Sequence, residues 1–192
     1  MSVSVLLIDN YDSFTYNLVE ALRCIGVQEL KVIRNNEIYQ TDFQSFNKIV
    51  ISPGPGLPEE AGELMHFLKN EGKERDILGI CLGLQAIVTA YGGNLVNLKE
   101  VRHGKQTEVT IIEPDEKLFN GIQTPFKAGL YHSWAASELD FPDELQITAI
   151  DADNVIMAVK HRKLKLRAVQ FHPESYMTPA GRKMLENWVK MK

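Results

Sequence analysis

One of the two cysteines stands where a protein could hold a nucleophile. In Gly79-Ile80-Cys81-Leu82-Gly83 the cysteine ends an apolar run at residues 77–80, and a glycine lies two residues away on each side. A strand that turns sharply into a helix at such a residue forms a nucleophile elbow, here with cysteine in place of serine. Glycine tolerates the crowding of that turn, and the N-terminus of the following helix favours a thiolate. Taken alone, the motif fits a buried structural cysteine equally well.

A second motif supplies the proton chemistry that a thiolate needs. Imidazole can take up a proton and return it to a leaving amine near neutral pH. His172 directly follows the predicted strand at residues 166–171 and is stiffened by Pro173. Glu174 lies two residues later, where a carboxylate can orient the ring and stabilise its cation. We therefore predict Cys81 as the nucleophile, His172 as base and acid, and Glu174 as the orienting carboxylate.

The remaining histidines and the second cysteine are weaker candidates. His66 is predicted on a solvated helix face, and His161 lies in the basic turn His161-Arg162-Lys163. His103 and His132 are predicted in loops, where a binding role stays open. Cys24 is expected as a helix residue on or near the core. Because scattered Cys and His lack the paired spacing of a zinc site, we expect no metal and no cofactor.

The turn Pro53-Gly54-Pro55-Gly56 could contribute backbone amides to a site. Its prolines fix the path of the chain, while its glycines allow unusual dihedral angles and exposed amides. Such a loop can supply one donor of an oxyanion hole, and the amide of Leu82, after the nucleophile, can supply the other. An ordinary tight turn explains the local sequence slightly better. The phosphate-loop pattern is absent.

The elements that must position these residues alternate between strand and helix, which predicts a largely parallel α/β sheet. Strands are predicted at residues 3–8, 30–34, 48–52 and 77–80, and helices at 14–25, 59–70 and 84–91. Further, antiparallel strands are predicted at residues 107–112, 146–150, 155–159 and 166–171. Thr178-Pro179 predicts the cap and first residue of a terminal helix, with Met184, Leu185, Trp188 and Val189 on its apolar face.

Composition bounds the class of protein. The 192 residues, 44% hydrophobic and 24% charged, match one globular domain, so residues 1–192 are predicted as a single domain. The net charge of −4 argues against nucleic acid and an anionic membrane as partners. No apolar stretch reaches the roughly 18 residues of a membrane span, and the N-terminus lacks signal-peptide features. These features predict a cytoplasmic protein with both cysteines as thiols.

Three motifs together resemble the class I, or triad-type, glutamine amidotransferases. They are Pro53-Gly54-Pro55-Gly56, Gly79-Ile80-Cys81-Leu82-Gly83-Leu84-Gln85 and Phe171-His172-Pro173-Glu174-Ser175. The resemblance implies a flavodoxin-like α/β fold with flanking helices, and hydrolysis of glutamine to glutamate and ammonia through a γ-glutamyl thioester. It assigns the oxyanion hole to Gly56 and Leu82. It assigns glutamine binding to Gly54, Pro55, Gly56, Gln85, Ser133 and Trp134.

Within that family, the opening Leu7-Ile8-Asp9-Asn10-Tyr11-Asp12-Ser13-Phe14-Thr15-Tyr16-Asn17-Leu18 looks like subunits serving anthranilate synthase and aminodeoxychorismate synthase. His103-Gly104-Lys105, Tyr131-His132-Ser133 and Thr178-Pro179-x-Gly181 also match that branch. The resemblance implies a chorismate-binding synthase subunit that receives the ammonia through a sheltered passage. It leaves open whether the product is anthranilate, aminodeoxychorismate or both.

Three residues depart from the pattern of that branch. Leu84 stands where many relatives have His, with little expected effect on catalysis. Arg102 replaces a common apolar residue and Leu130 a frequent Arg, both in loops expected to meet the partner.

Two other hypotheses use the same residues. A free-standing cysteine hydrolase of γ-glutamyl compounds would be fully active alone, whereas a subunit would be slow until its synthase binds. A non-enzymatic binding module would hold Cys81 as an unreactive thiol, which labelling with iodoacetamide would reveal.

Overall fold

The computed structural model describes residues 3–191 and contains one mixed sheet with helices on both faces. Its strands are β1 (Ser4–Asp9), β2 (Glu29–Arg34), β3 (Lys48–Ile51), β4 (Asp76–Ile80), β5 (Leu95–Ile111), β6 (Phe126–Ala136), β7 (Leu145–Asp151), β8 (Ile156–His161) and β9 (Leu166–Val169). Its helices are α1 (Thr15–Cys24), α2 (Leu64–Asn70), α3 (Leu82–Ala90) and α4 (Gly181–Lys190).

Within the described residues, the nine strands lie in the order β2-β1-β3-β4-β9-β8-β7-β5-β6. Neighbours are parallel from β2 to β9 and antiparallel from β9 to β6. This confirms the predicted α/β fold, with its parallel centre and antiparallel additions from the second half of the chain. The strand predicted at 166–171 differs, because β9 pairs in parallel with β4 and is antiparallel only to β8. None of the helices within residues 3–191 is long and apolar enough to cross a membrane.

Alternation along β1 shows how the layers form. Val5 and Leu7 pack in the core that includes α1 and α4, whereas Leu6 and Ile8 pack in the core that includes α2 and α3. Because successive strand residues point to opposite faces, a fully apolar strand requires cover on both. The four helices provide that cover in two pairs.

The carboxyl ends of the parallel strands meet at one edge of the sheet. The chain leaves β4 into Cys81 and leaves β9 into Gln170 and His172, while the turn from Pro53 follows β3. Parallel α/β proteins bind their ligands beyond this edge. The fold therefore brings together three motifs that lie far apart in the sequence.

Two helix boundaries and one burial prediction in the first half were wrong. Helix α2 begins at Leu64 rather than residue 59, because Gly62 has a φ of +57° and turns the chain away from a helical path. Helix α3 begins at Leu82 rather than residue 84, directly after the elbow. Cys24 is exposed rather than near the core, and its thiol donates a hydrogen bond to Glu20 Oε1 at 3.4 Å.

The largest error concerns β5 and β6, which pair as a long antiparallel ribbon. The sequence predicts a strand only from residue 107 and none over β6, and it places both 103–105 and 131–133 in loops. In the structure His103 pairs with Tyr131, and Arg102 pairs with His132, across this ribbon. Leu130 is likewise a buried strand residue. Much of β5 is exposed and polar, so it lacks the alternation that identifies a half-buried strand.

The terminal helix begins at Gly181, because Thr178 makes a different contact from the predicted cap. The Thr178 hydroxyl accepts from the Gly129 amide at 2.9 Å and donates to the His172 carbonyl at 2.7 Å. The predicted apolar face of α4 is confirmed by three buried side chains, Met184, Leu185 and Trp188.

Candidate active site

Cys81 sits in a strained elbow between β4 and α3. Its φ of 52° and ψ of −101° are unusual for a residue with a side chain, and such geometry costs about 1–3 kcal/mol. A Cβ on Gly79 would lie 2.7 Å from the Gly83 backbone, and one on Gly83 would lie 2.9 Å from the Ile51 carbonyl oxygen. The flanking glycines are therefore required by close packing, as the sequence motif suggested.

His172 and Glu174 form a buried pair beside this cysteine. The His172 Nδ1 lies 2.7 Å from the Glu174 Oε1, and the side chains are only 2% and 0% exposed. Burial by itself would lower the pKa of His172, but the Cys81 sulfur and the Glu174 carboxylate outweigh it and raise the pKa to about 10. The ring is therefore stabilised as a cation next to the sulfur.

Two atoms of this pair keep unused hydrogen-bonding capacity. Within residues 3–191, the His172 Nε2 and the Glu174 Oε2 are buried without a hydrogen-bond partner. Unpaired buried polar atoms are costly and often mark reactive sites. Because Nδ1 is held by Glu174, the open Nε2 is the atom available to exchange a proton.

Backbone contacts fix the segment that carries His172. Its amide donates to the Gly129 carbonyl of β6 at 3.1 Å, and its carbonyl accepts from the Thr178 hydroxyl. A Cβ at position 181 would overlap the Pro173 carbonyl oxygen, so Gly181 lets α4 start directly against this segment. The Thr178-Pro179-x-Gly181 motif therefore acts through the backbone of the histidine segment.

Aromatic rings enclose the His172 imidazole. Its centroid lies 5.4 Å from that of Phe14 and 4.8 Å from that of Tyr131. Phe14 comes from the loop after β1, where its amide donates to the Asp12 carboxylate at 2.8 Å. Thr15 ties the same loop to the buried Asp9 at 2.7 Å. The opening motif of the sequence thus shields the histidine, a role that sequence reasoning did not assign.

The predicted glutamine-binding residues surround one cavity of about 210 Å³ next to Cys81. Gly56 lines it with a φ of 75°, and its amide makes no hydrogen bond within the described residues. The Leu82 side chain is buried in the core, but its amide occupies the first position of α3, where a helix has no internal acceptor. The lining consists of Gly54, Pro55, Gly56, Cys81, Gln85, Tyr131, His132, Ser133 and Trp134.

His132 lines the cavity as a neutral ring. Burial lowers its pKa to about 4, and nearby Arg102 and His172 act in the same direction. Its Nδ1 lies 2.9 Å from the Trp134 carbonyl oxygen, which can only accept, so Nδ1 carries the proton. Its Nε2 is then a buried acceptor that has no partner within residues 3–191. Arg102 is held nearby by an ion pair with Asp151.

Sequence reasoning missed Gln170, whose Nε2 lies 3.5 Å from the Cys81 sulfur. The residue is fully buried and lies two positions before His172. The available signal was a polar residue between the apolar Val169 and Phe171, directly before the histidine. Within the described part of the chain, no group of three His, Cys, Asp or Glu side chains converges as a metal site requires.

Comparisons with known proteins show the family to which the chain belongs. The sequence model of the family described as Glutamine amidotransferase class-I matches residues 6–191. The chain is 42% identical over 199 residues to anthranilate synthase component 2 of Methanothermobacter thermautotrophicus, covering 98% of this chain and 100% of that protein. It is 42% identical over 193 residues to the chloroplastic anthranilate synthase beta subunit 2 of Oryza sativa, covering 97% of this chain and 70% of that protein.

A solved structure shows the same fold. The crystal structure of a Thermoplasma acidophilum protein, provisionally assigned as one of the subunits of GMP synthase, matches with a TM-score of 0.87 and 25% identity. The match covers 98% of this chain and 93% of that chain.

Proposed function

The chain belongs to the class I glutamine amidotransferase family, and from that premise we propose that Cys81, His172 and Glu174 are its catalytic triad. It is a glutaminase that hydrolyses L-glutamine to glutamate and ammonia and works with a synthase component. The observation that carries the triad is the open Nε2 of His172, held by Glu174 through Nδ1, beside a cysteine in a strained elbow.

The first half of the reaction forms a thioester. The Cys81 thiolate attacks the side-chain carboxamide carbon of glutamine, and the carbonyl oxygen becomes an oxyanion. The amides of Gly56 and Leu82 stabilise that charge. The C–N bond then breaks while His172 Nε2 transfers its proton to the leaving nitrogen, which departs as ammonia.

The second half releases glutamate. Neutral His172 takes a proton from water, the resulting hydroxide attacks the thioester carbon, and the same two amides stabilise the second oxyanion. Collapse breaks the C–S bond, which regenerates the Cys81 thiolate and the His172 cation. Glu174 stays ionised and keeps the ring oriented through both steps. Gln85, Ser133 and Trp134, with Gly54, Pro55 and Gly56, hold the substrate in the cavity.

The ammonia passes to a chorismate-binding synthase subunit that makes anthranilate, aminodeoxychorismate or, with two partners, both. The names of the relatives favour anthranilate. Exposed tyrosines near the site support a docking surface there, because Tyr is enriched at protein interfaces. Tyr11 and Tyr16, near the loop after β1, are 56% and 68% exposed, and Tyr176, two residues after Glu174, is 91% exposed.

Purification of the chain with its synthase tests this proposal. Glutamate release is measured for the chain alone and for the complex, at matched saturation with glutamine. We expect slow release by the chain alone and faster release by the complex, because displacement of one oxyanion donor such as Gly56 costs ~10²–10³ in rate. Equal rates would instead support the free-standing hydrolase of γ-glutamyl compounds.

A further inference from the structure

Three side chains form a hydrogen-bonded chain behind the proposed nucleophile. Gln85 Nε2 lies 2.8 Å from the Trp134 carbonyl oxygen and 3.3 Å from Gln170 Oε1. Gln170 Nε2 in turn lies 3.5 Å from the Cys81 sulfur. Gln85 and Gln170 are 3% and 0% exposed, so water cannot replace these contacts freely.

The Trp134 carbonyl fixes the orientation of both amides. A carbonyl oxygen only accepts, so the Gln85 side chain must present its NH₂ group to it. The second N–H of that group points to Gln170, which must therefore present its oxygen. Gln170 is left with its NH₂ group towards the Cys81 sulfur. Each orientation follows from the previous one, without an alternative that keeps all three contacts.

In this arrangement the Gln85 Oε1 remains free. It makes no hydrogen bond within residues 3–191 and is not among the buried unpartnered atoms, while Gln85 itself lines the cavity. It therefore presents an acceptor to a donor group of the bound substrate. A rotated Gln85 would present a donor instead, and its oxygen would then face the Trp134 carbonyl and the Gln170 oxygen, which together prevent that rotation.

We propose that Gln170 is a positioning residue that donates a hydrogen bond to the Cys81 thiolate and, together with the Trp134 carbonyl, holds the acceptor face of Gln85 towards glutamine. The proposal rests on the catalytic role of Cys81. Gln170 and His172 approach the sulfur from one segment, while Phe171 between them packs against Phe126 in the core. One backbone segment thereby influences the charge and position of the Cys81 sulfur and the contact that Gln85 makes with the substrate.

Two substitutions separate the two contacts. Gln170→Met has a similar length but neither donates to the sulfur nor accepts strongly from Gln85. Gln170→Glu keeps an acceptor for Gln85 but places a carboxylate where the sulfur had a donor. Hydrogen bonds to charged groups are among the stronger ones, so we expect Gln170→Met to lower kcat by about 10-fold or more and to raise KM. Gln170→Glu should lower kcat at least as much with a nearly unchanged KM.

The decisive readout is the pH dependence of Cys81 alkylation by iodoacetamide, followed by mass spectrometry of the intact chain. The wild type should be labelled at lower pH than either variant, because Gln170 favours the thiolate. The exposed Gln40 provides the control Gln40→Met, because within residues 3–191 its side chain bonds only the Asn36 carbonyl. This variant is expected to match the wild type. Thermal unfolding verifies that each variant is folded.

Cys81→Ser, measured alongside, distinguishes two kinds of failure. If Cys81→Ser keeps glutaminase activity, the proposed triad is wrong. If Cys81→Ser is inactive but folded Gln170→Met matches the wild type in alkylation profile, kcat and KM, only the role of Gln170 is overturned. The role of Gln170 would also be overturned if Gln170→Met and Gln170→Glu lowered kcat equally without shifting the alkylation profile, because a structural effect alone would produce that result.

Discussion

Two buried ion pairs lie at opposite ends of the parallel strands and differ in how completely their atoms are used. At the amino ends, Lys48 Nζ lies 2.5 Å from Asp76 Oδ2 and 4.9 Å from the centre of the Trp188 ring. The other oxygen of Asp76 accepts from Trp188 Nε1 at 3.1 Å. At the carboxyl ends, His172 and Glu174 share one contact, and each keeps one buried atom without a partner within residues 3–191.

This difference indicates whether each ion pair contributes to stability or to turnover. A buried pair whose members satisfy one another supports a single packed arrangement, and loss of one partner leaves a costly charge. A pair with open atoms sacrifices hydrogen bonds in the resting protein and keeps them for a reacting group. We therefore expect changes at the amino ends to alter stability, and changes at the carboxyl ends to alter turnover.

The strongest test of this contrast removes the sulfur. Cys81→Ser should lower glutamine-dependent synthesis by the complex by ~10⁴-fold or more, because the other triad members cannot act without the nucleophile. Ammonia-dependent synthesis should persist, since in the proposed complex the chemistry on chorismate belongs to the partner. Both activities are measured on the assembled complex. Loss of both, with the complex intact, would contradict this division of labour.

The second test compares the two members of the open pair. His172→Ala should reduce glutaminase turnover about 10-fold to 100-fold more than Glu174→Gln, because His172 moves the proton and Glu174 only orients and stabilises it. Neither change should be judged from activity alone, so thermal unfolding is measured in parallel. Equal or reversed losses in folded variants would mean that the roles are wrongly assigned.

The third test moves to the closed pair. Lys48→Met should lower the free energy of unfolding by about 3–5 kcal/mol, because Asp76 loses its buried counter-charge, and should leave kcat of the folded protein unchanged. Denaturant titration gives the first quantity and glutamate release the second. Arg182→Ala, which breaks an exposed pair with Glu186, serves as the control and should cost less than about 1 kcal/mol. A drop in kcat for folded Lys48→Met would break the contrast.

The smallest expected effect is a loss of stability at acidic pH that depends on His132, which lines the cavity at the carboxyl ends of the strands. His132 has a pKa of about 4 in the fold against 6.5 for an ordinary histidine, so the unfolded chain binds its proton first as pH falls. Its contribution to stability is complete above pH 6.5 and declines towards pH 4, by at most roughly 3 kcal/mol. His132→Asn should flatten the decline of the unfolding free energy over this range. An identical pH dependence of the unfolding free energy in variant and wild type would show that His132 does not have the lowered pKa.

Local motifs were predictable where the deciding contacts are close in sequence. Gly79 and Gly83 flank Cys81 closely in the sequence, and His172 is two residues from Glu174, so the two local motifs taken together predicted the elbow and the pair. The β5–β6 ribbon was not predictable in the same way, because its exposed polar residues carry no periodic signal. Gln170 reaches Cys81 across 89 positions, and only the pairing of β4 with β9 brings them together.

The positive φ of Cys81 bears on how this gene can change over generations. Glycine would adopt that backbone conformation with less strain, so Cys81→Gly is a change that favours folding while it removes the proposed nucleophile. Natural sequences commonly give up some stability where function demands a strained residue. In a duplicated copy that no longer has to release ammonia, replacement of this cysteine by glycine would relieve backbone strain, so we expect this change among the first. Glycine at position 81 would then indicate a copy that has lost glutaminase activity.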